Sequence, residues 1–344
     1  MALAAHPVDS AAKGHRKRTV ARRDACWTIS RILRWLRTCE HLRARDAGIV
    51  GEELNVIKLG ASIQSIAAEE LVQRPANPRG RLLEAIEELS TRYQLDAVEL
   101  FLDGIFLFPE IVDRALFEDV ARLQQRLGMT MTAHLPYAWI DISSANERMR
   151  KASVESIVEA VEMTSPVEIT SYALHATGPF GNEVSPNVAR PEQDIWVLLM
   201  LGGIQRSLTE LRSRLPDTPL AVETMEGFPF EWQAPIVKQL DLGVCCDLAH
   251  LTVRSMDPEP FIEQWLPKIR QFHVHGVREQ AIGVNIRYRR DHHPLGGPGE
   301  LVDTQRLLAL LDAKGFEGPV ILENLSRADL ELSAPALRQA AGRA

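Results

Sequence analysis

From about residue 55 onward the chain alternates between two hydrophobic rhythms. Short apolar runs rich in β-branched residues predict strands at 56–60, 97–102, 129–134, 169–175, 220–223, 243–247, 269–275 and 320–323. Between them, apolar residues recur at helical spacing, as in Leu82, Leu83, Ile86, Leu89 and Tyr93, or Leu307, Leu308, Leu310 and Leu311. Gly128 and Gly315 stand where two of these helices should stop before the next strand. Eight βα units in about 290 residues predict an α/β fold, a (β/α)8 TIM barrel spanning 55–344. Residues 1–54 read as a separate basic extension. A doubly wound open sheet is the competing architecture.

The strand ends carry the chemistry. Seven of the ten histidines fall in five motifs where a predicted strand passes into a loop: Ala133-His134-Leu135-Pro136, Leu174-His175-Ala176, Cys246-Asp247-Leu248-Ala249-His250, Phe272-His273-Val274-His275-Gly276 and Asp291-His292-His293. Glu223 and Glu323 end two further strands. An open sheet gathers its site at one switch point, whereas a barrel brings every strand end to one mouth, so this distribution favours the barrel. Taken singly, His134 or His175 reads as a hydrogen-bonded core histidine. Taken together, His134, His175, Glu223, Asp247, His250, His273, Asp291, His293 and Glu323 read as nitrogen and oxygen ligands for divalent ions such as Zn2+ or Mn2+. His275 and His292 read as supporting or solvent-facing groups. Asp291 and His293, two apart, should face one side of an extended loop.

Composition narrows the choice. The formal net charge is −7, with 11 Lys/Arg and 4 Asp/Glu in residues 1–50, leaving 28 basic and 42 acidic residues for the rest. A body that acidic is a poor match for a nucleic-acid backbone, so DNA is not an expected partner. The four cysteines show no disulfide spacing, and adjacent Cys245 and Cys246 read as small core hydrophobes. No apolar run is long enough to span a bilayer, and a cytoplasmic enzyme is expected. Residues 25–42 place Trp27, Ile32, Leu33, Trp35 and Leu36 among arginines, the pattern of a basic amphipathic helix. The sequence is silent on oligomeric state.

Residues 55 to about 330 resemble the xylose-isomerase-like barrel superfamily. Its sugar isomerases and epimerases hold one metal with Glu, Asp, His and Glu, and Glu223, Asp247, His273 and Glu323 match those positions. Its endonuclease-IV-like branch holds three, and the chain matches further positions of that branch: His134-Leu-Pro-Tyr137, His175-Ala-Thr-Gly, Gly243-Val-Cys-Cys-Asp-Leu-Ala-His250, and Asp291-His-His293-Pro-Leu-Gly-Gly-Pro-Gly. Pro136 and Ala176 depart from the residues usual beside the first two histidines. The resemblance implies one ion on His134, His175 and Glu223, a second shared through Glu223 with Asp247, His273 and Glu323, and a third on His250, Asp291 and His293. The segment Thr164-Ser-Pro-Val-Glu-Ile-Thr-Ser-Tyr-Ala-Leu-His175 is similar to the cobamide-remodelling phosphodiesterases.

The expectation is therefore a hydrolase, a phosphodiesterase using up to three Zn2+ or Mn2+ ions. Glu223 and Glu323 are its central carboxylates, and its substrate is a small-molecule phosphodiester such as the nucleotide loop of a cobamide. Arg287, Arg289 and Arg290, in the long 276–299 loop, are candidate phosphate contacts. The alternatives are a one-metal sugar or sugar-phosphate isomerase or epimerase, and a non-enzymatic barrel that binds a ligand or partner.

Overall fold

The computed structural model describes residues 57–343 apart from 73–75, 185–187 and 283–285. The amphipathic segment 25–42 and the boundary near residue 55 lie outside the described residues. Eight strands pair in parallel and close on themselves: β1 (Lys58–Ser62), β2 (Ala97–Phe101), β3 (Thr130–His134), β4 (Ile169–Leu174), β5 (Leu220–Glu223), β6 (Gly243–Asp247), β7 (Ile269–Val274) and β10 (Pro319–Leu322). Each lies within about two residues of a predicted strand, so the (β/α)8 barrel expected from the hydrophobic rhythm is the fold observed.

The strands show why the chain closes. Along β6, Cys246 joins the large core between strands and helices, while Cys245 faces inward and clusters with Ala173 and Ala221. On β7 the outward Phe272 and Val274 flank the inward His273. Small residues and the polar His273 thus face the lumen and bulky apolar ones the outer layer, each strand being buried on both sides as a parallel barrel requires. Both cysteines are buried free thiols, as expected.

Register then sets heights. Phe101 lies level with His134, His134 with Ala173, Glu223 with Cys245, and Asp247 with His273. This brings the strand-end histidines and carboxylates to one level at the C-terminal mouth.

The helices are delimited by local chemistry. Asp113 caps Arg114–Leu127 by accepting from the Leu116 N–H at 3.0 Å. Gly128 closes that helix at φ +67°, a left-handed turn that a side chain would strain, and Gly315 does the same after Thr304–Ala313 at φ +66°. No helix among the described residues is long and apolar enough to cross a membrane.

Two loops gain structure that the hydrophobic pattern did not reveal. The first, 176–194, contains the short helix Pro179–Val184 and a 3-10 turn at Pro191–Gln193. The second, 276–299, is largely an antiparallel hairpin of β8 (Gly276–Ile282) and β9 (Ile286–His293). Its polar, arginine-rich return strand lacks a continuous apolar stripe, so period-two patterning gave no warning. Backbone pairing holds it instead.

Candidate metal centre at the barrel mouth

His134 ends β3, His175 follows β4 and Glu223 ends β5. Their free atoms converge. Glu223 Oε2 lies 3.3 Å from His134 Nε2 and 3.2 Å from His175 Nε2. His134 donates from Nδ1 to the Leu135 carbonyl at 2.9 Å, which leaves Nε2 as the atom facing Glu223. His134 Nε2 and Glu223 Oε2 are both buried and make no well-formed hydrogen bond. Two buried lone-pair atoms facing each other need a proton or a cation between them.

A second group shares Glu223. The ligand atoms of Glu223, Asp247, His273 and Glu323 all lie within 4.8 Å of one another. His273 Nδ1 faces Glu223 Oε1 at 3.2 Å and Glu323 Oε2 at 3.5 Å. Its other nitrogen is held from beneath, with Glu99 Oε2 at 2.9 Å. Glu99 also accepts from Gln271 Nε2 at 2.6 Å. A carboxylate behind an imidazole orients the ring and makes its far nitrogen a better ligand. Sequence reasoning missed Glu99 and Gln271. The signal was available: an acidic residue in the middle of the otherwise apolar strand Ala97-Val-Glu-Leu-Phe101.

The third group differs from the expectation. His250 Nδ1 donates to the Thr224 carbonyl at 2.8 Å, which turns Nε2 toward Glu226 Oε2 at 3.3 Å and Asp291 Oδ2 at 3.7 Å. Glu226, not anticipated, joins His250 and Asp291 within ligand range. His293 does not join them; its Nε2 sits 3.3 Å from Gln280 Nε2. The cause is backbone geometry. His292 takes φ +52°, breaking the alternation that was to place Asp291 and His293 on one side. His292 stacks on His275 with centroids 4.2 Å apart, and its N–H donates to His275 Nδ1 at 2.9 Å. His275 is fully buried, with Nε2 3.0 Å from Asp247 Oδ2, so the solvent-facing alternative for it is corrected.

Electrostatics follow from this crowding. Burial opposes charge on His134, yet Glu223, Glu323 and Glu99 raise its pKa to about 9. Burial opposes charge on His250 as well, and Asp247, Glu226, Glu223 and Asp291 raise it to about 10. Burial alone would raise Glu223, but His273, His175 and His134 hold it well below the usual carboxylate range. Asp247 is lowered in the same way by His250 and His275. The cage thus pairs anions with imidazoles drawn toward their charged form, and divalent cations can take the place of those protons. The donor set fits such ions. It is nitrogen and oxygen throughout, apart from the Cys245 thiol, which burial keeps protonated.

Above the cage opens a cavity of about 450 Å3, lined by Tyr137, Thr177, Asn182, Glu226 and His292 among others. The Tyr137 ring packs tilted against His175 at 4.5 Å and edge-on against His134 at 4.8 Å between centroids. The arginines are elsewhere. Arg289 donates to the Thr252 carbonyl at 2.7 Å and lines a separate groove, Arg290 is exposed, and the Arg287 side chain lies outside the described residues. The phosphate-contact expectation finds no support for Arg289 and Arg290.

Residues 88–341 match the family described as xylose isomerase-like TIM barrel. The chain belongs to that family. Among solved structures it is similar to a D-tagatose 3-epimerase-like protein, at 20% identity over 83% of this chain and 97% of the other, with a TM-score of 0.62. It is similar to the 3-keto-D-glucoside 4-epimerase of E. coli, at 18% identity, 83% and 98% coverage and a TM-score of 0.59. It is also similar to D-psicose 3-epimerase from Clostridium cellulolyticum H10, at 12% identity, 83% and 96% coverage and a TM-score of 0.54. At such identities these likenesses speak for the fold. No curated protein sequence matches the chain.

Proposed function

We propose that the barrel is a divalent-metal-dependent hydrolase acting on a phosphodiester of a small molecule. The observation that carries this reading is the two-sided use of Glu223. Its Oε2 faces His134 and His175, and its Oε1 faces His273. A carboxylate so placed would be shared between the two residue groups were each to hold a cation, an arrangement typical of phosphoryl-transfer sites with paired ions. Ions bound there would supply Lewis-acid charge to the phosphoryl oxygens. The chain's own part is to hold and orient. Glu223 and Glu323 fix the negative floor, Glu99 locks the His273 ring, and Tyr137 closes the cavity over His134 and His175. Glu226 brings a buried carboxylate oxygen without a hydrogen bond to the cavity wall, beside His250. The cobamide nucleotide loop is the substrate candidate within this reading.

A second reading has its own support. The similar structures named above are sugar epimerases, and on activity they fit the isomerase or epimerase expectation better than the phosphodiesterase one. The subset Glu223, Asp247, His273 and Glu323 is sufficient for a one-metal site with a carboxylate on either side of His273. Elemental analysis of purified protein, paired with activity, separates the two. Two to three ions per chain with turnover of a cobamide, and abasic duplex DNA left intact, supports the hydrolase. One ion per chain, inert phosphodiesters and epimerisation of a free ketose overturns it in favour of the epimerase.

A further inference from the structure

The cavity is polar at its floor, but its rim beside β3 and β4 is not. Ala138 and Pro179 line the cavity, and the residues that follow them, Trp139 and Phe180, are 77% and 47% exposed. Trp196, 52% exposed, meets Phe180 edge to face with centroids 5.9 Å apart. Leu325, 49% exposed, lines the cavity itself. Single exposed apolar residues are ordinary, but several grouped at one opening mark a contact surface.

The rim is also rigid. Asp141 Oδ1 accepts from the Gly178 N–H at 3.1 Å and from the Ser143 N–H at 2.9 Å, tying the loop after β3 to the loop after β4. Ser207 Oγ, on the helix Ile195–Arg214 that carries Trp196, donates to the Ile142 carbonyl at 2.7 Å. Gly203 of that helix packs so closely that a Cβ there would meet Ser143 O at 2.3 Å. The loops that carry Trp139 and Phe180 and the helix that carries Trp196 are therefore tied to one another before anything binds, which lowers the ordering cost of binding.

We infer that Trp139, Phe180 and Trp196 seat a planar apolar body of the substrate, from which a small reacting group reaches down to His134, His175 and Glu223. This rests on the phosphodiester reading of the cage. Continuity selects the occupant, because Trp139 and Phe180 directly follow residues that line the cavity and Trp196 packs on Phe180, so a molecule bound at the floor meets the rim as it leaves the mouth. A single sugar ring is enclosed by a cavity of this size and leaves the rim bare.

The test uses the full chain loaded with Mn2+ and two diesters that share one leaving group, bis(p-nitrophenyl) phosphate and ethyl p-nitrophenyl phosphate. Only the first carries a second aromatic arm. In the combined variant Trp139→Ala, Phe180→Ala, KM for the bis-aryl diester should rise roughly 10-fold relative to that for the ethyl diester, the range expected for losing one stacked ring. Equal KM shifts for the two diesters, or none, overturn the proposal. If the wild type cleaves neither, the hydrolase reading falls, and calorimetric titration with bis(p-nitrophenyl) phosphate against diethyl phosphate then decides the rim. Tighter binding of the aromatic diester that the same variant abolishes supports it, and equal binding overturns it. A wild-type dimer that the variant converts to monomer assigns the rim to a second copy of the chain and also overturns it.

Discussion

Two parts of the mouth are built to different standards. Glu223, Asp247, His273 and Glu323 stand on or directly after barrel strands, are almost wholly buried, and are backed by Glu99 and Gln271 from within the lumen. His250, Glu226 and Asp291 stand on a short helix, a loop and the hairpin, and two of the three are only half-buried. The strand-borne group has its geometry set by the closure of the sheet. The hairpin-borne group depends on one antiparallel pair that adds to the barrel from outside. Preorganisation by rigid elements makes a tighter site than a loop does. The difference predicts tight ions on the strand-borne side and a weaker, exchangeable one at His250.

The sharpest way to break this comparison is at the shared residue. Glu223→Gln should lower turnover by roughly 10^3-fold, the upper end for removing one charge-stabilising group. It should also empty the tight positions while the circular dichroism spectrum stays that of a folded barrel. Metal content unchanged in that variant would contradict the two-sided role.

Next comes the support beneath. Glu99→Gln leaves every ligand in place but removes the charge behind His273. Metal affinity should fall about 10- to 100-fold, as for other groups that orient a ligating imidazole. Competition with a fluorescent chelator reads it directly. An affinity equal to wild type would show that packing alone orients the ring.

Asp291→Asn should weaken only the hairpin-borne position. One ion per chain should become removable by mild chelation while the others stay, and the drop in turnover should be smaller than for Glu223→Gln. If Asp291→Asn matches Glu223→Gln in both measures, the two parts of the mouth are one cooperative site.

The mildest effect concerns pH in metal-free protein. His134 and His250 have folded pKa values of about 9 and 10, above the ordinary 6.5. A raised pKa means that the folded state binds the proton more tightly. The stabilisation is therefore complete below about pH 6.5 and is lost as pH rises through 9 and then 10. Melting temperature of the apoprotein should decline across that window, and His250→Gln should flatten the upper part of the decline. Saturating divalent ions should reverse the trend on the acid side, because protons then compete with the metal.

Much of this was legible before the fold was known. Each barrel strand announced itself by an apolar run, because a strand covered on both faces has little room for polar residues. His134, His175, Glu223, Asp247, His273 and Glu323 stood out because each interrupts or ends such a run. Glu99 interrupts one too, but it sits mid-strand rather than at an end, and so was read as part of the strand. Glu226 gave no local signal, since an acidic residue in a loop is ordinary. His293 lies away from His250 and Asp291 because of a left-handed residue at His292, which is invisible to spacing.

The sequence by itself determined the fold class, the strand positions and the strand-end set, because hydrophobic periodicity and burial are local properties that a barrel repeats eight times. Tertiary structure alone decided the rest. Which carboxylate faces two groups and which glutamate lies behind which histidine depend on the register of strands far apart in the chain, and the gathering of Glu226 with His250 and Asp291 on how the loops fold over them. The edge-to-face meeting of Phe180 and Trp196 beside the cavity is likewise brought about by packing of two separate segments. Registers and packings are settled by closure of the sheet, and closure is a property of all eight strands at once.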